Sequence, residues 1–363
     1  MKMMWMILFM VLPLIGLLYV GWHLWTLLPL DGWWKAAIIA LGVMCVGMLF
    51  LNFTLGLERW PLPVARVLYD VGTSSPFVLL YAVMLFLLID VARLAHILPR
   101  EWVTANWYGT AALLGVLFMV FLFGNIHYRN KVRVPLTLKS EKPLQREYTI
   151  VMASDLHLGY HNPRKELARW VDLINAENPD FVLIAGDIID ISARPLVEED
   201  AAAEFRRLKA PVYACLGNHE YYSGSQRARN FFKEAGIRLL IDEAGEIADG
   251  IVLVGRDDRT NMRRKPLEHL IKGVDKNKYI IVLDHQPYDL DRAERAGVDF
   301  QLSGHTHRGQ VWPISWVTDR MYECSWGEWQ RGTTRYYVSS GIGIWGGKFR
   351  IGTQSEYVVA TLR

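Results

Sequence analysis

With 363 residues and a formal charge of +3, the chain is long enough for two domains rather than one. It is 52% hydrophobic, yet no dense basic stripe with interleaved aromatics runs along it, which argues against nucleic acid as a partner. Charge is unevenly spread: about 11 of the first 126 residues are charged against about 66 of the remaining 237, and charge-poor apolar runs of about 20 residues mark a membrane region.

Four apolar stretches lie at about 4–26, 34–53, 75–98 and 106–126. Each is long enough to cross a hydrocarbon core of about 30 Å at about 1.5 Å per residue. The first continues through LLYVGWHLWTLLPL without a small-residue cleavage site, so it reads as a span rather than a signal peptide. Trp33, Trp34 and Trp107 stand at expected span ends, as interfacial aromatics do. Asp90 and Arg93 fall in the last turns of the third stretch, where they could pair at i, i+3 or snorkel to the interface. Four spans place the N-terminus and the C-terminal domain on one side, with Lys2, Arg59, Arg66, Arg129, Lys131 and Arg133. Lys35, Arg93 and Arg100 face the other. That excess predicts a multi-pass protein of the cell inner (plasma) membrane with its C-terminal domain in the cytoplasm. Cys215 and Cys324 are then expected as free thiols.

The expected organisation is a membrane domain over 1–128, a basic juxtamembrane linker over 129–146 and a soluble domain over 147–363. In the linker, RNKVRVPLTLKSEKPLQREYTI fits either contact with anionic headgroups or plain solvation. Beyond it the pattern alternates. YTIVMAS, FVLIAG and PVYACLG read as buried strands. PRKELARWVDLINAE and EEDAAAEFRRLKA read as helices, the former with Pro163 near its start. IVLVG, YIIVLD, VDFQLSG, RYYVSSG and EYVVATL follow as strands, with a helix near 288–296. The fold class is therefore α/β, with sheets covered by helices.

Five of these strands end on polar side chains. Asp155-Leu156-His157 follows the first, Gly186-Asp187-Ile188-Ile189-Asp190 the second and Gly217-Asn218-His219-Glu220 the third. His285 follows YIIVLD, and Gly304-His305-Thr306-His307 follows VDFQLS. Ligands of open α/β sheets bind outside the carboxyl ends of the strands, so these tips are expected to converge. Taken singly, each motif reads as a turn, a cap or a strand end; together they predict a site.

The donors Asp155, His157, Asp187, Asn218, His285, His305 and His307 include no cysteine. Mixed nitrogen and oxygen ligands suit Mn²⁺, Fe or Zn²⁺, with Mn²⁺ favoured. Seven donors exceed one ion of about four to six positions and suit two divalent ions sharing a carboxylate. Such a pair can clamp a phosphoryl group and generate a hydroxide nucleophile at neutral pH. His219 follows Asn218 and is left for general-acid work, and Asp190 could hold its imidazole. His23, His96, His127 and His269 have no such context, and His161, close to the first motif, could line the cleft but reads rather as a surface-loop residue.

The set D-x-H, G-D-x-x-D, G-N-H-[DE], H, G-H-x-H resembles the calcineurin-like metallophosphoesterase family, over roughly residues 147–363. LSGHTHRGQVWP and the tail from YYVSSG onward look like bacterial membrane-associated and transmembrane metallophosphoesterase-domain proteins. The resemblance implies a four-layered αββα sandwich. It also implies that Asp155, His157 and His307 bind one ion, that Asn218, His285 and His305 bind the other, that Asp187 bridges, and that His219 with Asp190 acts on the leaving group. Arg308 stands where many relatives are expected to have Gly; it could hold a second phosphate or turn outward. Trp345, Lys348 and Arg350 are further candidates for substrate contact. WPISWVTDRMYECSWGEW suits an apolar wall or lid for a lipid-bearing substrate, packing of a cover loop, or a contact with the membrane domain.

These readings predict a membrane-anchored hydrolase of phosphodiester or pyrophosphate bonds, with a lipid or lipid-linked substrate suggested by location. The rivals are a tethered phosphomonoesterase acting on protein or nucleotide, and a non-catalytic metal-binding sensor, which would be expected to have a broken ligand set. Nothing in the sequence sets an oligomeric state.

Overall fold

The fold is taken from a computed structural model, which describes residues 2–363 and the side chains of residues 11–363 except Phe53. Two compact units separate, Met1–Asn125 with Gly346–Lys348, and Ile126–Trp345 with Phe349–Arg363.

The first unit contains α1 (Lys2–Leu27), α2 (Gly32–Leu55), α3 (Leu62–Leu94) and α4 (Trp107–Arg129). Among the described residues, three helices are long and apolar enough to cross a membrane: Gly32–Asn52, Leu62–Leu94 and Trp107–Arg129. Val11–Leu27 is a shorter apolar helix. Leu27, Phe86 and Leu113 form a small core, while Leu18, Leu88 and Phe118 stay exposed, as lipid-facing side chains would.

The third apolar stretch begins at Leu62, earlier than expected, because Pro76 does not break the helix. Proline removes the N–H that would bond the carbonyl four residues back. That carbonyl, on Gly72, accepts the Ser75 hydroxyl at 3.1 Å instead. Asp90 and Arg93 pair at i, i+3. Asp90 also accepts the Tyr19 hydroxyl at 2.6 Å and lies 3.0 Å from His23 Nε2, so His23 joins a polar network.

The second unit begins where a linker was expected. β1 (Lys131–Leu138) pairs in parallel with the last strand at a sheet edge. Its alternating exposed charges and Pro135 gave it the look of a linker. An edge strand paired on one side tolerates both. The chain continues through β2 (Tyr148–Ala153), α5 (Arg164–Ala176), β3 (Phe181–Ala185), α6 (Arg194–Glu198), α7 (Ala202–Phe205), β4 (Val212–Cys215), α8 (Asn218–Tyr222), α9 (Ser225–Ala235) and β5 (Ile237–Leu239). The helix expected over EEDAAAEFRRLKA shrinks to the single turn of α7, with α6 lying before the stretch and ending at its first residue. Asp200 between them has φ of 51°, which ends an α-helix.

Then come β6 (Glu243–Ala248), β7 (Ile251–Gly255), α10 (Leu267–Ile271), β8 (Tyr279–Leu283), α11 (Leu290–Ala296), β9 (Phe300–Ser303), α12 (Ile314–Met321), β10 (Gly327–Arg331), β11 (Thr334–Val338) and β12 (Ser355–Leu362). They form two six-stranded sheets, in the orders β1-β12-β2-β3-β4-β5 and β10-β11-β9-β8-β7-β6.

Period-2 alternation builds the cores. Ile150 and Met152 of β2 join Ile281 and Leu283 of β8 in a cluster drawn from both sheets. Val151 and Ala153 point the other way, toward Trp170 of α5 and Phe232 of α9. Ile280 and Val282 turn toward Leu267 and Leu290. β2, β3 and β4 are mutually parallel, as are β7, β8 and β9. Their carboxyl ends therefore share one edge of each sheet.

Candidate metal centre

Every polar motif foreseen at a strand end lies at one of these edges. Asp155 and His157 follow β2, Asp187 and Asp190 follow β3, and Asn218 and His219 open α8 after β4. His285 follows β8, and His305 and His307 follow β9. The turns are tight. Asp155, His157, Asp187, His305 and His307 all have φ between 45° and 71°, a region uncommon for non-glycine residues. Glycines make room beside them. Gly186 has φ of 76°, and a Cβ there would meet His285 Nδ1 at 2.8 Å. A Cβ on Gly304 would run into the Asp155 carboxylate.

The structure brings all seven expected ligands together. His157 Nε2 and His307 Nε2 lie 3.0 Å apart, and Asp155 Oδ1 is 3.4 Å from His307 Nε2. Asn218 Oδ1 is 3.2 Å from His285 Nε2 and 2.9 Å from His305 Nδ1. Asp187 Oδ2 stands between these groups, 3.1 Å from His285 Nε2 and 3.7 Å from His157 Nε2. Three sets have ligand atoms mutually within 4.8 Å: Asp155/His157/His307, His157/Asp187/His219 and Asp187/His285/His305.

Secondary contacts orient the ligands. His285 Nδ1 lies 2.7 Å from the Ala185 carbonyl. An Nδ1–H donated there leaves Nε2 unprotonated toward the centre, as ligation requires. Asp155 accepts the His305 N–H at 3.0 Å and the Ser154 hydroxyl, and Asp187 Oδ1 accepts the His219 N–H at 2.9 Å. Asp190 Oδ1 is 3.0 Å from His219 Nδ1 and 3.4 Å from His157 Nδ1.

The donors fit divalent cations. Asp155, Asp187 and Asp190 are buried, and without a cation the imidazoles must balance them. Burial opposes a charged His157, yet Asp155 and Asp190 raise it to about 10. His285 is likewise raised against burial by Asp187. Burial and the nearby His285 charge push His305 down to about 4. Asp187 is lowered despite burial by His285 and His219. Divalent ions would displace the protons from the raised imidazoles.

Two residues whose roles lay hidden in the sequence hold the turns. Glu220 is fully buried and accepts the N–H groups of Gly217 at 2.7 Å, Ile189 at 2.9 Å and Asp187 at 3.0 Å. Burial and the Asp187 charge push its carboxyl up to about 7. Asn162 donates to the Leu156 and His157 carbonyls, both at 3.1 Å, and accepts the Tyr128 hydroxyl at 2.8 Å. The G-N-H-E spacing marks Glu220 as part of a motif without saying what it holds. Nothing local marks Asn162.

Arg350 and His161 differ from expectation. Arg350 is fully buried and donates to the His307 carbonyl at 2.7 Å, the Gly343 carbonyl at 3.2 Å and the Ser340 carbonyl. Its guanidinium is engaged by these carbonyls and braces the turn behind His307. His161 is buried and paired with the Ile344 carbonyl at 2.8 Å, not on a surface loop. Arg308 lies over the Trp326 ring at 4.3 Å and 3.6 Å from Asp319. Trp345 is half-buried.

Residues 148–309 match a family model described as calcineurin-like phosphoesterase. A metallophosphoesterase of Aquifex aeolicus is 34% identical over 240 residues, covering 62% of this chain and 90% of that protein. One from Helicobacter pylori strain J99 is 31% identical over 260 residues, covering 69% and 68%. A zebrafish (Danio rerio) protein named transmembrane protein with metallophosphoesterase domain is 28% identical over 316 residues, covering 78% and 71%.

Proposed function

Because the chain belongs to the calcineurin-like metallophosphoesterase family, we propose that it is a membrane-anchored phosphoesterase with two divalent ions, hydrolysing a phosphodiester or pyrophosphate bond. The observation that carries this reading is Asp187 Oδ2, set between His285 Nε2 at 3.1 Å and His157 Nε2 at 3.7 Å. One carboxylate so placed serves two adjoining ligand groups. Asp155, His157 and His307 hold one ion; Asn218, His285 and His305 hold the other; Mn²⁺ is the favoured metal. Such ions supply Lewis-acid charge to phosphoryl oxygens and lower the pKa of a water.

His219 acts on the leaving group. With Nδ1 held 3.0 Å from Asp190, its Nε2 is left to hold or release a proton at the leaving oxygen. The two sheets with helices outside them support an αββα layering. α1 joins the three longer apolar helices as a fourth span of a multi-pass inner-membrane protein. The excess of Lys and Arg on the side shared with the C-terminal domain supports a cytoplasmic position for that domain. A lipid or lipid-linked phosphate ester is the substrate suited to such an anchor, with Arg308 and Trp345 near it.

The test uses the detergent-solubilised full chain and its Asp187→Ala variant, reloaded with Mn²⁺. Metal content is measured by mass spectrometry, and hydrolysis of bis-p-nitrophenyl phosphate beside p-nitrophenyl phosphate. Diester hydrolysis that vanishes together with bound metal in the variant supports the reading. Monoester hydrolysis alone turns it into a tethered phosphomonoesterase, and a wild-type chain that binds no metal refutes it.

A further inference from the structure

The turn bearing the last expected ligand leads into α12, and α12 is inverted for a helix in water. A surface helix normally buries an apolar stripe and exposes polar residues. α12 buries Ser315 and Thr318. Both press on the His307–Gly309 turn, where a Cβ on Gly309 would meet Ser315 N and Thr318 Oγ1 at 2.7 Å. Four of its outward side chains are apolar, Ile314 at 37% exposure, Val317 at 54%, Trp316 at 63% and Met321 at 65%, beside the exposed Asp319 and Arg320. Trp312, just before the helix, is 38% exposed and meets Trp316 edge-on at 5.3 Å between ring centres. A contiguous exposed apolar patch marks an interaction surface.

We propose that the Trp312–Met321 face seats in the surface of a lipid bilayer, so that the adjoining metal centre takes phosphate esters carried by membrane lipids. The inference rests on the phosphoesterase reading above and adds the surface by which the centre would meet a lipid-borne substrate.

Two features select a bilayer over a protein partner. α4, an apolar helix long enough to span, ends at Arg129, and β1 starts at Lys131. Only Asn130 separates them, about 3.3–3.6 Å of extended chain. The strand that opens the unit carrying the centre thus follows a candidate span almost directly in the chain. The chemistry of the face also fits. Tryptophans gather at headgroup depth, and the flanking Arg308 and Arg320 complement anionic headgroups. The acidic residue on the helix, Asp319, is engaged by Arg308 and by the Ser325 hydroxyl.

The full chain is reconstituted into vesicles of phosphatidylcholine and phosphatidylglycerol, with a nitroxide on Val317→Cys and, separately, on Lys233→Cys of α9, both in a Cys45→Ala background. The label at position 317 is expected to be reached by oxygen in preference to a water-soluble nickel complex, with the reverse at position 233. Equal water-like access at both positions overturns the proposal. So does shielding of position 317 from both reagents, which marks a protein interface. In the paired variant Trp316→Glu/Val317→Glu, the ratio of vesicle-borne to water-soluble ester hydrolysis is expected to fall by about tenfold or more; an unchanged ratio also overturns it. A wild-type chain that hydrolyses neither ester fails the phosphoesterase reading, while the label still reports whether the face meets lipid.

Discussion

Asp190 and His219 form a pair in which the carboxylate Oδ1 lies 3.0 Å from the imidazole Nδ1. The same oxygen is 3.4 Å from His157 Nδ1, so one buried carboxylate adjoins both the residue proposed to act on the leaving group and an expected ligand. The two roles separate by mutation. His219→Gln is expected to lower kcat by roughly 10²–10⁴-fold with both ions still bound. Asp190→Asn is expected to lower kcat comparably and also to weaken metal binding by about 10–100-fold. Steady-state kinetics beside metal titration checks this; equal metal affinity in the two variants would remove His157 from the account.

Glu220 gathers the Asp187, Ile189 and Gly217 N–H groups and so fixes the β3 and β4 turns against each other. Glutamine keeps the shape but places an NH₂ among donors. An unsatisfied buried donor costs about 1–3 kcal/mol. Glu220→Gln is therefore expected to lower the thermal midpoint and metal occupancy together, although Glu220 itself is not a proposed ligand. A variant with full occupancy and unchanged stability would contradict the bracing role.

Metal removal has a defined direction. Divalent ions that bind the folded centre stabilise it by about 2.7 kcal/mol at a free concentration one hundred times Kd. Chelation is expected to lower the unfolding midpoint of the full chain, and Mn²⁺ to restore it in a concentration-dependent way. His307→Ala and His285→Ala are each expected to lose one ion while retaining the other. Loss of both ions from either variant would show that the groups do not bind independently.

The centre was legible because each motif is local. A buried strand ends, a turn follows, and the turn carries the ligand, so the sequence order alone predicts convergence. What escaped depends on contacts distant in sequence. Glu220 looked like the end of a motif, and its role emerges only when β3 and β4 stand side by side. Arg350 looked like a cation for substrate, because its charge is visible in the sequence and its burial is not. β1 looked like a linker, because an edge strand bonded on one side needs no buried apolar run. α12 contains the aromatic residues noted in the sequence, but only its placement reveals that the apolar side faces outward.

The last prediction concerns acid stability away from the centre. Asp180 precedes β3, and its carboxylate accepts the Thr149 N–H of β2 at 2.8 Å and Arg146 Nη2 at 2.6 Å. The Asp180 N–H donates back to the Thr149 carbonyl at 2.7 Å, which clamps the starts of two parallel strands. Partial burial would raise this carboxyl, but the bonds from Arg146 and Thr149 outweigh it, and the carboxyl lies below its ordinary value. An unfolded aspartate titrates near about 3.9. The ionised form therefore adds stability above that pH, and the contribution is lost as pH falls through the lower folded value. Asp180→Asn is expected to unfold at a lower temperature than wild type near neutrality, with the gap closing in acid below about pH 4. Thermal unfolding of both chains across that range is the check. A gap that stayed constant with pH would assign the clamp to the neutral hydrogen bond alone and leave the charge on Asp180 without a part in it.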